Sequence, residues 1–170
     1  MSKTPMSKTP MRRASACATL VLIVLSGCVV WTTSKTKTFP IKMTQGAADS
    51  ANAEIMAVMQ QSAQAWTHGD LDRFVAFYDS SAATTFIGRK GIVRGPAAIK
   101  EGYAPRFAPG AMHDSLSFEN VEIDLIALDA ANVIAYYKLM RGDSTIARGP
   151  TSLVMRKRAN GWKITHDHSS

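Results

Sequence analysis

From Ala48 to His68 the apolar positions Ile55, Val58, Met59, Ala65 and Trp66 fall near helical spacing and form one stripe, which predicts a long helix. Asp49 or Ser50 can cap its start, and Glu54 sits favourably in its first turns. Gly69 can end it in a left-handed conformation. Asp70 then caps a second helix over Leu71 to Tyr78, with Leu71, Phe74, Val75 and Tyr78 inward. Beyond it the period changes to two. Ala83 to Ile87 reads as a strand, Gly88 to Gly91 as a turn and Ile92 to Arg94 as a return strand. Gly95-Pro96 opens a third helix that runs through Ile99 and Tyr103 and stops by Pro105. Four strand patterns follow: Met112 to Leu128 with a bulge near Asn120, Asn132 to Met140, Ile146 to Lys157, and Trp162 to His168. The segments joining them are short enough for antiparallel hairpins. Helices first and hairpin-linked strands after predict an α+β fold: a curved antiparallel sheet with helices packed on its concave face.

Ahead of this pattern lies a different one. Arg12-Arg13 precede the apolar run Ala14 to Leu25, and Ser26-Gly27-Cys28 follow it. The run is about a dozen residues, short of the roughly 20 that span a bilayer. A basic flank, a short apolar core and small residues make a secretory signal over residues 1–27. Met-Ser-Lys-Thr-Pro occurs twice in tandem over residues 1–10, and Met11 is an alternative start, so that stretch is set aside. Residues 28–46 are rich in Thr, Ser and Lys and show no sustained period, which predicts a tether. A first strand around Phe39 to Met43 is the alternative. Residues 47–170 then make one domain.

The net charge of +7 changes meaning once it is apportioned. Four cations precede Cys28, and Lys35, Lys37 and Lys42 lie in the tether. From residue 47 onward 13 basic face 13 acidic residues, which argues against nucleic-acid binding and places the excess where it can lie against anionic headgroups. Cys17 belongs to the signal and Cys28 to its end, so the domain holds neither a disulfide nor a thiolate site.

Two resemblances add to these patterns. Leu25-Ser26-Gly27-Cys28 resembles the lipobox of bacterial lipoproteins, which implies cleavage before Cys28, acylation of its thiol and a membrane anchor in the bacterial cell envelope. Val29 after the cysteine implies the periplasmic face of the outer membrane. The domain resembles the nuclear transport factor 2-like superfamily, with its ketosteroid isomerases and SnoaL-like cyclases, in three stretches. They are Ala65 to Asp72 with Phe77-Tyr78, Gly91 to Ile99, and the ending Gly161 to Ser170, which is similar to a SnoaL-like branch of unknown function. That likeness implies a cone-shaped fold, a small-molecule pocket and a homodimer formed through the sheet.

The resemblance also offers a chemical test. On the Gly69-Asp70-Leu71-Asp72 alignment, the isomerase tyrosine falls at Ser62 and its carboxylate base at Phe86. Neither residue can supply the base and anion stabiliser that proton abstraction beside a carbonyl needs. Steroid-isomerase chemistry is therefore not expected.

The remaining candidates are the histidines and the aromatic residues. His166 and His168 alternate on the last strand and by parity share a face with Trp162 and Ile164, while Asp167 points to the other. Three uses compete: hydrogen bonds that close the sheet, an acid/base role near neutral pH, and a metal site with His113 as third ligand. No acidic ligand pairs with them and no phosphate-binding glycine loop occurs, so neither metal nor cofactor is expected. His166 and His168 are the candidate catalytic residues. Trp66, Tyr78, Phe86, Tyr103, His113 and Tyr137 are the candidate pocket, for a small apolar or carboxylate-bearing ligand. Ordinary core packing is the competing use of the aromatic residues. Tyr136 and Tyr137 alternate, so one of them alone can face inward, and Arg148 and Arg156 share a face. Arg141-Gly142-Asp143 reads as turn chemistry rather than an adhesion site.

Overall fold

The computed structural model describes residues 43–170. The signal, Cys28 and nearly all of the tether lie outside the described residues.

Helix α1 spans Gln45–Thr67 and starts ahead of its predicted cap. Thr44 is the N-cap: its backbone is extended and its side chain accepts from the Ala47 amide. Asp49 instead accepts from Gln45 Nε2 at 2.8 Å, one turn along the exposed helix surface. The buried stripe is Ala51, Ile55, Met59, Ser62, Ala65 and Trp66. Gly69, at φ +73, terminates the helix as its sequence position predicts, and Asp70 caps α2 by accepting from the Arg73 amide at 2.9 Å.

Helix α2 is Leu71–Val75, shorter than its apolar pattern. The sheet competes for the backbone there. Phe77 O accepts from the Ile164 amide at 2.9 Å, and the Asp79 amide donates to Ile164 O at 2.8 Å. Tyr78 is thereby drawn out of the helix and laid against the last strand.

Strands β1 (Thr85–Gly88) and β2 (Gly91–Arg94) form a hairpin, followed by α3 (Pro96–Tyr103) and a 3-10 turn over Ala104–Arg106. Strands β3 (Ser115–Ala127), β4 (Ala130–Arg141), β5 (Ser144–Arg158) and β6 (Gly161–Ser169) run as a meander. The six-stranded sheet has the order β2-β1-β6-β5-β4-β3. It is mixed rather than wholly antiparallel, because β1 pairs with β6 in parallel. Hairpin loops reveal only neighbours in sequence, and the β1–β6 pairing joins segments far apart in the chain.

One face of the sheet carries Val133, Ala135, Leu139, Leu153, Met155, Trp162 and Ile164, and the helices cover it. Burying the valine, leucine, isoleucine and methionine side chains among them supplies about 1.5–3 kcal/mol each. The strand register shifts at four places, two of which bear on the site. The first lies at Asn120, at φ +51, where the β3–β4 register shifts between Glu119 and Glu122. Its place agrees with the sequence pattern. The second lies in β6: Met155 pairs with Ile164 and Val154 with His166, leaving Thr165 unpaired. That one extra residue decides the functional face of the strand.

Candidate functional site

A strand alternates sides with period two, so an inserted residue exchanges the faces of everything after it. Before Thr165, Trp162 and Ile164 point into the core. After it, Asp167 points inward and is buried, whereas His168 is exposed. The expectation that the two histidines share a face with Trp162 and Ile164 is therefore overturned. His166 Nδ1 lies 2.5 Å from the Thr85 hydroxyl on the neighbouring strand. His113 does not join them: its ring lies against Gly69, 2.8 Å from where a Cβ there would sit. The described residues contain no cluster of three or more metal-ligating side chains.

Asp167 is the polar centre of the interior. Tyr78 Oη donates to its Oδ2 at 2.6 Å, and Ser169 Oγ donates to its Oδ1 at 2.7 Å. Thr151 Oγ1 lies 3.5 Å from the same Oδ1 and 2.8 Å from Ser169 Oγ. Burial pushes the Asp167 carboxyl above the usual aspartate range, against the lowering effect of Ser169 and Tyr78. Burial likewise pushes the Tyr78 phenol well up, and the neighbouring Asp167 adds to it. The Tyr103 phenol is raised for the same two reasons. Burial thus moves all three groups in the direction of their protonated forms, in an apolar surround.

That surround is aromatic. Trp66 meets Phe74, Tyr103 and Phe107 edge to face, at centroid distances of 5.1, 5.4 and 5.1 Å. Phe74 lies 6.0 Å from Tyr78 and Phe86 5.4 Å from Tyr103. Phe86 is the register partner of Asp167 across the β1–β6 pair, so the two occupy one side of the sheet. Tyr137 is the inward member of its pair and donates to the Ser170 carbonyl at 3.2 Å, whereas Tyr136 is exposed under the Arg148 guanidinium. Trp66, Tyr78, Phe86, Tyr103 and Tyr137 therefore gather on the helix-covered side, and His113 is left out of them.

Ser62 is buried on α1, and its hydroxyl returns to Met59 O at 2.9 Å. Phe86 is an aromatic wall. The residues at the two isomerase positions thus do no acid/base chemistry. Arg148 and Arg156 face away from the core, paired with Glu119 and Asp129.

Two depressions lie at the surface of the domain. One of about 550 Å³ runs between α2, Pro96 and the β5–β6 turn, where Asp79 and Arg158 pair. Another of about 380 Å³ lies between Arg106, Asp114, Arg141 and Met112. Tyr78 is among the lining residues of the first, and neither includes Trp66, Phe86, His166 or His168. The interior is filled by its own rings, with Phe86, Tyr103, Phe107 and Tyr137 at its half-buried margin.

Sequence reasoning missed Asp167. One signal pointed to it: Thr151 is a polar residue on the inward parity of Leu153 and Met155, and a hydroxyl placed there needs a buried partner.

Residues 55–170 match the SnoaL-like domain family. The chain belongs to that family. A solved NTF-2 like protein of unknown function from Shewanella oneidensis MR-1 is 26% identical, with 70% of this chain and 98% of that chain covered and a TM-score of 0.64. A candidate scytalone dehydratase from Novosphingobium aromaticivorans is 13% identical, covering 74% of this chain and 87% of that chain, with a TM-score of 0.64. A candidate aromatic ring hydroxylase from the same species is 21% identical over 72% and 89% of the two chains, with a TM-score of 0.60. At those identities the last two show the fold. No curated protein matches the chain. The resemblance drawn from Gly69-Asp70-Leu71-Asp72 and the closing strand thus names the right family, and the fold has the α+β layering it implied.

Proposed function

We propose that this SnoaL-like domain binds a small, largely apolar molecule between its aromatic helices and its sheet, with Asp167 and Tyr78 as the polar anchor. The observation that carries this reading is the 2.6 Å Tyr78–Asp167 hydrogen bond, buried beneath the half-buried rings of Phe86, Tyr103 and Tyr137. An apolar wall with a few convergent polar groups is the usual composition of a ligand site. Because the rings pack against one another, entry of a ligand requires Tyr103 and Phe107 to turn aside. A panel of planar phenols and cyclic ketones tests this by calorimetry. Binding that weakens in Tyr78→Phe and Asp167→Asn supports the reading. Binding unaffected by both, or absent across the panel, overturns it.

A second reading is acid/base catalysis, as an isomerase, cyclase or dehydratase. Its support is the buried Tyr78–Asp167 pair, in which burial raises the carboxyl above the usual aspartate range, toward the form that donates a hydrogen bond to a developing oxyanion. The acid in this reading is Asp167 rather than His166 or His168. Turnover that falls in Asp167→Asn and persists in His166→Ala and His168→Ala would favour it.

We further propose an address and an assembly. Acylation of Cys28 would tether the domain to the cell envelope, on the periplasmic side of the outer membrane. Intact mass of the processed protein tests this, and retention of the residues before Cys28 overturns it. The outward sheet face, with Ile134 at 46% and Tyr136 at 37% exposure, supports a homodimer through the sheet. Sedimentation of Ile134→Glu against the parent protein tests that assembly.

A further inference from the structure

Asp114 is a buried carboxylate placed between two arginines at the end of the sheet where β3 begins and β4 ends. Arg141 Nε donates to its Oδ1 at 2.9 Å, and Arg106 Nη1 lies 3.9 Å from its Oδ2. Arg106 also lies over the Trp66 ring, 5.8 Å from its centroid. Two guanidinium groups are thus drawn to one spot and held there, Arg141 spending one of its five donors on the carboxylate. The single negative charge of Asp114 cancels one of the two positive charges.

The ground around them is apolar and open. The depression of about 380 Å³ is walled by Arg106, Arg141 and Asp114 together with Pro105, Met112 and Ile146. That volume lies within the range of small-ligand sites. Met112 is 67% exposed and Ile146 41%, unusual freedom for two large apolar side chains on the wall of one depression. A phosphodianion alone would leave that apolar wall in water, and a neutral alkane would leave the cationic pair unanswered.

We propose that this groove binds a single-chain amphiphile bearing one negative charge, with its carboxylate on Arg106 and Arg141 and its alkyl chain along Met112 and Ile146. The site is separate from the Tyr78–Asp167 cluster and does not depend on it. Guanidinium groups can take a carboxylate through paired parallel hydrogen bonds, and Asp114 limits their motion in advance of binding. The net single positive charge sets the preference for a monoanion.

Calorimetry of the full chain with decanoate, decanol and acetate, each below its aggregation concentration, tests the groove. Decanoate should bind about tenfold or more tighter than either decanol or acetate. Arg106→Gln should weaken decanoate about tenfold, and Met112→Glu by at least as much. Arg141→Gln leaves Asp114 buried without its strongest partner and can lose the fold, so the two exposed positions carry the test. Equal binding of decanoate and decanol overturns the proposal. So does a decanoate affinity unmoved by Arg106→Gln and Met112→Glu, or one lost in Tyr78→Phe while both groove variants bind as the parent does.

Discussion

Asp79 and Asp167 expose equally little surface, 6% each, yet Asp79 lies shallow on the wall of a surface depression and Asp167 deep inside, and their carboxyls are driven in opposite directions. Asp79 faces the Arg158 guanidinium and accepts from the Ser81 amide at 2.9 Å, and these hold its carboxyl below the usual aspartate range. Asp167 faces hydroxyls and the edge of an aromatic cluster, and burial lifts it against the lowering effects of those hydroxyls and of His166. The two sites are linked by adjacent residues, since Tyr78 turns inward to Asp167 while Asp79 turns to Arg158. The difference teaches that exposed surface alone does not decide a carboxyl's state: a shallow acid answered by a cation is held toward its ionised form, and one set deep among apolar rings is pushed toward its protonated form. The first is a structural clasp, the second a poised polar group.

Breaking the clasp should have the largest effect. Arg158→Met leaves Asp79 buried beside an apolar chain. It should cost about 2 kcal/mol in urea unfolding, less than a fully buried pair because the guanidinium is half exposed. A loss under a few tenths would show that Asp79 is held by the Ser81 amide alone. Tyr78→Phe removes one hydrogen bond from Asp167 and should cost about 1.5 kcal/mol while leaving the aromatic packing in place.

The pH dependence should separate the two carboxyls by sign. Asp79 has a folded-state pKa below its ordinary value of 3.8, so its contribution is full above that value and fades as pH falls through the folded pKa. Asp167 has a folded-state pKa above 3.8, so its contribution is full below that value and fades as pH rises through the folded pKa. Unfolding midpoints measured across pH should therefore show Asp79→Asn losing an acid-side decline and Asp167→Asn losing a decline on the rising side. The same slope in both variants would erase the distinction.

The smallest effect is expected on the outer face of the same strand. His168→Ala touches an exposed side chain and should change stability by less than about 0.5 kcal/mol, with ligand binding unmoved. A large loss of binding in that variant would return the histidines to the site.

Much of the fold is legible along the chain. Gly69 and Asp70 mark one helix end and the next helix start, and Pro96 opens α3. The meander follows from alternation and short turns, and the Asn120 bulge from the break in that alternation. The site was legible in part. Trp66, Tyr78, Phe86, Tyr103 and Tyr137 lie on the helix-covered side, where the core takes up large rings, whereas Ile134 and Tyr136 on the other parity of β4 are exposed. The histidines and Asp167 were exchanged because the Thr165 bulge leaves the local pattern of residues unaltered while reversing the side they occupy. His113 was misplaced because a loop residue has no parity to read; it rests on Gly69, where a side chain would collide with it.

Local preferences by themselves determined which segments are helices and strands, which faces are apolar and where most elements begin and end, since those depend on residues within a few positions of one another. Tertiary structure decided the parallel β1–β6 pairing, the early end of α2 at the sheet and the inward turn of Asp167. Each of these rests on hydrogen bonds between segments distant in the chain, which compete with local order and are settled only when the whole sheet closes.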